Sequence, residues 1–183
     1  MILRFVVLVI LLIASVVAPP TQKRRTVLVI GDSLGVGMGP TLQKLGRADG
    51  DTVIVEAVVG TTTCQWATRV ESSVKRNKPT TVLISLGTND TPNTRSWLTA
   101  HVGCYSGVAK EIRATGADVM WILPPTLPAR LEDNRKWVSV EARKVSDRSF
   151  DSTTLTLPRA PDGIHFAPQG YEAWAKQVWA WSK

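Results

Sequence analysis

The stretch Thr26-Val27-Leu28-Val29-Ile30-Gly31-Asp32-Ser33-Leu34-Gly35 governs how the rest of the chain is read. Its first five residues are apolar or β-branched, with no alternation. That is the pattern of a strand covered on both faces, as in a parallel sheet. Gly31 ends the run, and Ser33 follows with glycines on either side. A serine on a tight turn between strand and helix exposes its hydroxyl and directs its backbone N–H to where an oxyanion can sit. Alone, the same Gly-Asp-Ser reads as a helix N-cap, so the remaining chain has to decide.

Working outward, runs of the same kind recur at Val53–Val59, ending at Gly60, and at Thr81–Leu86, ending at Gly87. A fourth, Val119–Leu123, ends at Pro124-Pro125, and a weaker fifth spans Arg148–Asp151. Segments of helical character separate them. Pro40–Leu45 is short, with Pro40 suited to a first turn. Trp66–Asn77 sets Trp66, Val70 and Val74 four apart on one face. Trp97–Thr115 is the longest, with Gly116 placed to cap it, and Asn134–Val145 and Pro168–Trp181 follow. This alternation predicts one α/β domain over residues 26–183, with a central parallel sheet and right-handed crossovers. Function in such a sheet collects at the C-terminal ends of the strands.

The residues at those ends carry chemistry. Gly60 can present its N–H to a ligand, although by itself it is a turn glycine. Asn89, in Gly87-Thr88-Asn89-Asp90, can aim its amide into the same cleft, or it can close an Asx-turn. Before the last helical segment comes Pro161-Asp162-Gly163-Ile164-His165-Phe166. A serine nucleophile needs a base, and the base needs an acid to hold its tautomer. His165 and Asp162 can supply both from one loop. The other histidine, His101, sits within a helical segment and reads as a surface or packing residue. Asp32 and Asp90 read as supporting hydrogen-bond residues. Thr61-Thr62-Thr63-Cys64 receives no role.

The N-terminus departs from a globular pattern. Residues 1–4 carry a positive charge through Arg4, Phe5–Ala18 is apolar apart from Ser15, and Pro19-Pro20 leads into Lys23-Arg24-Arg25. Residues 1–20 therefore read as a signal peptide, with an uncleaved membrane anchor as the rival, and residues 21–25 as a basic linker. The expected location is exported, periplasmic or secreted, with membrane association through this segment if it is retained. Removing it costs only Arg4 of the formal +7 charge. Lys and Arg are scattered, with no basic stripe or interleaved aromatics, so nucleic-acid binding is not expected. Gly35-Val36-Gly37-Met38-Gly39 has Pro40 where a dinucleotide fingerprint requires its last glycine, which argues against a nucleotide-binding module. Cys64 and Cys104 are an even count for an oxidising compartment and allow one disulfide; two separate buried thiols are the alternative. Their spacing fits no zinc motif.

The joint order of Ser33, Gly60, Gly87-Thr88-Asn89-Asp90 and Asp162-Gly163-Ile164-His165 resembles the SGNH, or GDSL-like, hydrolase family. Ser33, Gly60, Asn89 and His165 match its four name-giving positions, and Asp162 matches its acid. The resemblance covers residues 26–183. It implies a flavodoxin-like three-layer α/β/α sandwich and a serine esterase working through an acyl-enzyme, with no metal or organic cofactor. Ser33 would attack, His165 would take its proton, and Asp162 would orient His165. The N–H groups of Ser33 and Gly60 with the Asn89 amide would form the oxyanion hole. Substrates across the family include acylated sugars, peptidoglycan O-acetyl groups, lipids and thioesters. A chain with no room for a lid domain favours an open site and short acyl groups, such as acetate on envelope polysaccharide or peptidoglycan. The alternatives are a lipid-directed esterase, lysophospholipase or thioesterase, and a non-catalytic anchored binding domain of the same fold.

Overall fold

A computed structural model describes residues 24–183. The predicted leader, residues 1–20, and most of the basic linker lie outside the described residues. Arg25, the last linker residue, is folded onto the domain. Its backbone N–H donates to Asp51 Oδ1 at 2.8 Å, its Nη1 donates to the Ser182 carbonyl at 2.8 Å, and its guanidinium lies over Trp179.

Five strands form one sheet: β1 (Thr26–Gly31), β2 (Thr52–Val55), β3 (Thr81–Ser85), β4 (Asp118–Ile122) and β5 (Arg148–Phe150). All pairings are parallel, in the order β2-β1-β3-β4-β5. Sequence order reverses between β1 and β3, which is the switch point where open α/β sheets place their ligands.

The nearly continuous apolar runs split by parity into two cores. Val27 and Val29 of β1, Leu83 of β3 and Met120 and Ile122 of β4 face one side. There they pack on α1 (Ser33–Ala48) and α7 (Pro168–Trp181) through Met38, Leu42, Trp174 and Val178. Leu28, Ile30, Val82, Ile84, Val119 and Trp121 face the other side. Five helices supply that layer: α2 (Thr63–Ala67), α3 (Val70–Asn77), α4 (Arg95–Ala100), α5 (Gly103–Arg113) and α6 (Ala129–Val145). The result is the expected three-layer α/β/α architecture.

Several boundaries differ from the sequence reading, each for a local reason. The first helix begins at Ser33 rather than Pro40, because Asp32 caps it by accepting from the Leu34 N–H. Pro40 therefore falls inside α1, where its ring forfeits one helical hydrogen bond. The second strand ends at Val55, four residues early, and the chain runs on as a loop to Gly60. Trp66–Asn77 is broken at Thr68–Arg69 and preceded by a capping box between Thr62 and Gln65. Trp97–Thr115 is also two helices. α4 stops at His101, whose ring bonds the Trp97 carbonyl, and α5 restarts at Gly103. The helix read from Asn134 starts at Ala129, directly after Pro128.

Candidate active site

The C-terminal end of β1 presents the first residues of the site. A Cβ on Gly31 would stand 2.7 Å from the Ser85 carbonyl oxygen, so only glycine lets β1 pass β3 here. Asp32 then donates its backbone N–H to that same carbonyl at 3.0 Å. Its side chain starts α1, and Ser33 becomes the first residue of a sixteen-residue helix. The Ser33 N–H has no intrahelical acceptor, and the positive end of the helix dipole surrounds it. Both favour developing negative charge beside the hydroxyl.

His165 arrives from the loop before α7. Ser33 Oγ and His165 Nε2 are 2.8 Å apart, and His165 Nδ1 and Asp162 Oδ2 are 2.6 Å apart. Asp162 Oδ1 also accepts the backbone N–H groups of Ile164 and His165, each at 2.9 Å. These bonds to His165 and its neighbours hold the Asp162 carboxyl down at about 2, first through the imidazole and then through the two amides. Asp162 is therefore a carboxylate at any ordinary pH and can keep a proton on Nδ1, leaving Nε2 to accept from serine. The loop itself is anchored by Arg159. Its Nη1 and Nη2 donate to the carbonyls of Ile164 and Thr126, and its guanidinium covers the Phe166 ring at 4.1 Å.

The loop after β2 brings Gly60 to the same strand ends. Gly60 is exposed and has φ +77°, a backbone conformation that suits glycine. Among the described residues its N–H donates to no backbone carbonyl. Asn89, in the single turn after β3, donates Nδ2 to the Thr61 carbonyl at 3.1 Å, which joins it to the residue after Gly60. One amide proton of Asn89 is thus engaged, and the second remains for a ligand.

The residues that tie this side together escaped the sequence reading. Thr61 Oγ1 donates to the carbonyls of Val58 (2.7 Å) and Gly31 (3.2 Å). Trp66 Nε1 reaches Gly31 O at 3.1 Å and Thr61 Oγ1 at 3.0 Å. Thr63 and Tyr105 both donate to the carboxylate of Asp90. Only the Thr62–Gln65 capping box carried a local signal; the bonds to Gly31 and Asp90 join segments 15 to 35 residues apart in sequence. Cys64 and Cys104 are joined as a disulfide that ties α2 to α5. His101 stacks on Trp97 with ring centroids 4.0 Å apart and takes no part in the site.

A parallel sheet with a serine, a histidine and a carboxylate in one hydrogen-bonded chain at its switch point defines an α/β ester hydrolase. The chain belongs to the GDSL-like lipase/acylhydrolase family, whose model matches residues 29–173. Three solved structures are similar in fold. An acetyl xylan esterase superposes with a TM-score of 0.72 at 18% identity, covering 86% of this chain and 100% of that one. The psychrotrophic esterase EstA from a Pseudoalteromonas species gives 0.70 at 18% identity, covering 85% and 95%. A carbohydrate acetylesterase from Sinorhizobium meliloti gives 0.65 at 20% identity, covering 86% and 100%. No curated protein matches the chain by sequence.

Proposed function

We propose that the protein is an exported serine esterase that removes short acyl groups, acetyl foremost, from envelope polysaccharide or peptidoglycan. The observation that carries the reading is the unbroken chain Ser33 Oγ–His165 Nε2 and His165 Nδ1–Asp162 Oδ2 at the N-terminus of α1. In this mechanism His165 removes the serine proton as Ser33 Oγ attacks the ester carbonyl. The Ser33 and Gly60 N–H groups and the free Asn89 amide proton receive the oxyanion. His165 returns the proton to the leaving alcohol, and water then releases the acyl group by the same steps.

A short acyl group on a large alcohol is supported by the openness of the site. The side chains of His165 and Asp162 are 39% and 48% exposed, so a polymer can approach without entering a tunnel. The two sugar-ester names among the similar structures point the same way. Aromatic stacking is not the means of recognition. Trp66, Trp121, Trp174 and Trp179 are buried, Trp97 is covered by His101, and Trp137 and Trp181 pack on Tyr105 and Phe150. Export is supported by the apolar leader pattern and by a disulfide suited to an oxidising compartment.

A longer acyl chain is the second reading, favoured by Val58 and Val59, which are exposed just before Gly60. Hydrolysis of p-nitrophenyl acetate, butyrate and octanoate decides between them. The expected result is turnover that falls with chain length and drops by about 10⁴-fold or more in Ser33→Ala and His165→Ala. A preference for octanoate would move the assignment to lipid-like esters. Near-normal turnover in either variant would remove the mechanism.

A further inference from the structure

Asp90 lies outside the Ser33–His165–Asp162 chain, yet it is 1% exposed and receives three hydrogen bonds. Its Oδ1 accepts the Thr63 N–H at 3.2 Å. Its Oδ2 accepts the Thr63 hydroxyl at 2.5 Å and the Tyr105 hydroxyl at 2.9 Å. Burial, reinforced by the Asp90 charge, raises the Tyr105 pKa, so the phenol stays a donor at any ordinary pH. Thr63 opens α2, and Tyr105 is in the first turn of α5. Each adjoins one half of the disulfide: Cys64 follows Thr63, and Cys104 precedes Tyr105. The same two helices are therefore cross-linked twice, once through sulfur and once through the carboxylate of Asp90.

The carboxylate end of this double link leads directly to the site. Asp90 follows Asn89, whose amide holds the Thr61 carbonyl, and Thr61 follows Gly60. We propose that the Cys64–Cys104 disulfide and the Thr63–Asp90–Tyr105 cluster position the oxyanion donors of this enzyme, so that reducing the disulfide slows turnover. The proposal rests on the reading of Gly60 and Asn89 as those donors. Asp90 and Tyr105 are positioning residues, since they touch neither the serine nor its base. With the disulfide intact, the donors of Asp90 are held on both flanks and a buried carboxylate stays satisfied. A dithiol breaks the S–S bond in a two-electron exchange, leaving two cysteine thiols while the dithiol is oxidised to its own disulfide. Thr63 and Tyr105 then keep only their hydrogen bonds to Asp90, without the covalent tie between their helices, and the Gly60–Thr61 segment gains freedom. Oxyanion donors act in the transition state, so the loss should fall on kcat rather than KM.

The test compares the full chain, oxidised and reduced by dithiothreitol, with Tyr105→Phe, which keeps the ring and deletes one donor. Two readouts are taken: p-nitrophenyl acetate kinetics and backbone hydrogen exchange. Reduction and Tyr105→Phe are each expected to lower kcat about three- to tenfold with KM within about twofold, while the pH profile keeps its shape. Amides of residues 58–64 and 88–91 should exchange faster while β1 and β3 stay protected. Unchanged kcat in both perturbed forms overturns the proposal, whether or not exchange rises. If the oxidised chain shows no Ser33-dependent turnover, the esterase reading fails by itself. The exchange at residues 58–64 then decides the cross-link alone, and an unchanged rate there overturns it.

Discussion

The loop that carries Asp162 and His165 and the segment that carries Gly60 and Asn89 flank the same serine, yet they are held by different kinds of bond. On the histidine side the contacts are mostly local, apart from the Arg159 bond to the Thr126 carbonyl. Asp162 bonds residues two and three positions on, and Ala160 and Gly163 close the turn through the His165 and Ala160 carbonyls. The pair is substantially open to water. On the opposite side the bonds are distant in sequence and mostly buried, with Asn89–Thr61 part-buried and Gly60 itself exposed. Thr61 and Trp66 reach back to Gly31, Asn89 to Thr61, and Asp90 to Thr63 and Tyr105. A local carboxylate–imidazole pair forms with little ordering cost, but water screens it. A donor placed by long-range bonds needs the whole fold, and the buried bonds behind it are strengthened by a low dielectric.

That contrast ranks the substitutions. Asn89→Ala should cost about 10²–10³ in kcat with KM little changed, since it deletes one of the proposed oxyanion donors, on the side held by long-range bonds. Steady-state kinetics on p-nitrophenyl acetate would show it. A loss of less than about threefold would mean that the buried side does not carry the transition-state charge, and the contrast would collapse.

Asp162→Asn should cost less, about 10- to 10²-fold in kcat, because water can reach the imidazole that the carboxylate orients. The substitution keeps an oxygen for the N–H groups of Ile164 and His165, so the loop geometry is retained and only the charge and the Nδ1 acceptor are lost. The same kinetic comparison checks it. A loss as large as that of Ser33→Ala would show that exposure does not weaken the pair, and the two sides would then be equal in kind.

Legibility in the sequence follows the same division. The strands were readable because a parallel sheet buried on both faces leaves unbroken apolar runs, and β1, β3 and β4 each show one. Asp162 and His165 could be read as partners because they lie three positions apart, and one loop holds them 2.6 Å apart. Thr61, Thr63 and Tyr105 left no local mark. A threonine that bonds a carbonyl thirty residues away looks in sequence like any turn residue. The helix breaks at Thr68 and His101 were hidden for a related reason. Apolar spacing continued across them, while a capping side chain and a ring-to-carbonyl bond ended the helices. Pro40 misled in the other direction, because the cap at Asp32 started α1 early enough to place a proline inside it.

The third test sets the two aspartates nearest the reacting groups against each other, and it acts on folding rather than turnover. Asp162, bonded to His165 and open to water, is held down at about 2, whereas Asp32 is pushed up to about 7. Burial is the main cause at Asp32. Its Oδ2 has no hydrogen-bond partner among the described residues, and the Asp90 charge adds to the effect, while the Leu34 N–H opposes it. In the unfolded chain both ionise near 3.8. Asp162 therefore contributes stability above about pH 4 that is lost as the pH falls toward about 2. Asp32 has the opposite sign. Between about pH 4 and 7 the folded state keeps a proton that the unfolded chain has released, so stability declines as the pH rises through that window. Asp32→Asn keeps an oxygen for the Leu34 N–H and removes the titration. Relative to the parent, the variant should gain on the order of 4 kcal/mol between pH 4 and 8, read as a rising difference in urea midpoint. Parallel profiles for the two proteins across that range would mean that Asp32 ionises normally behind the serine, and the buried side of the site would then be wetter than its hydrogen bonds imply.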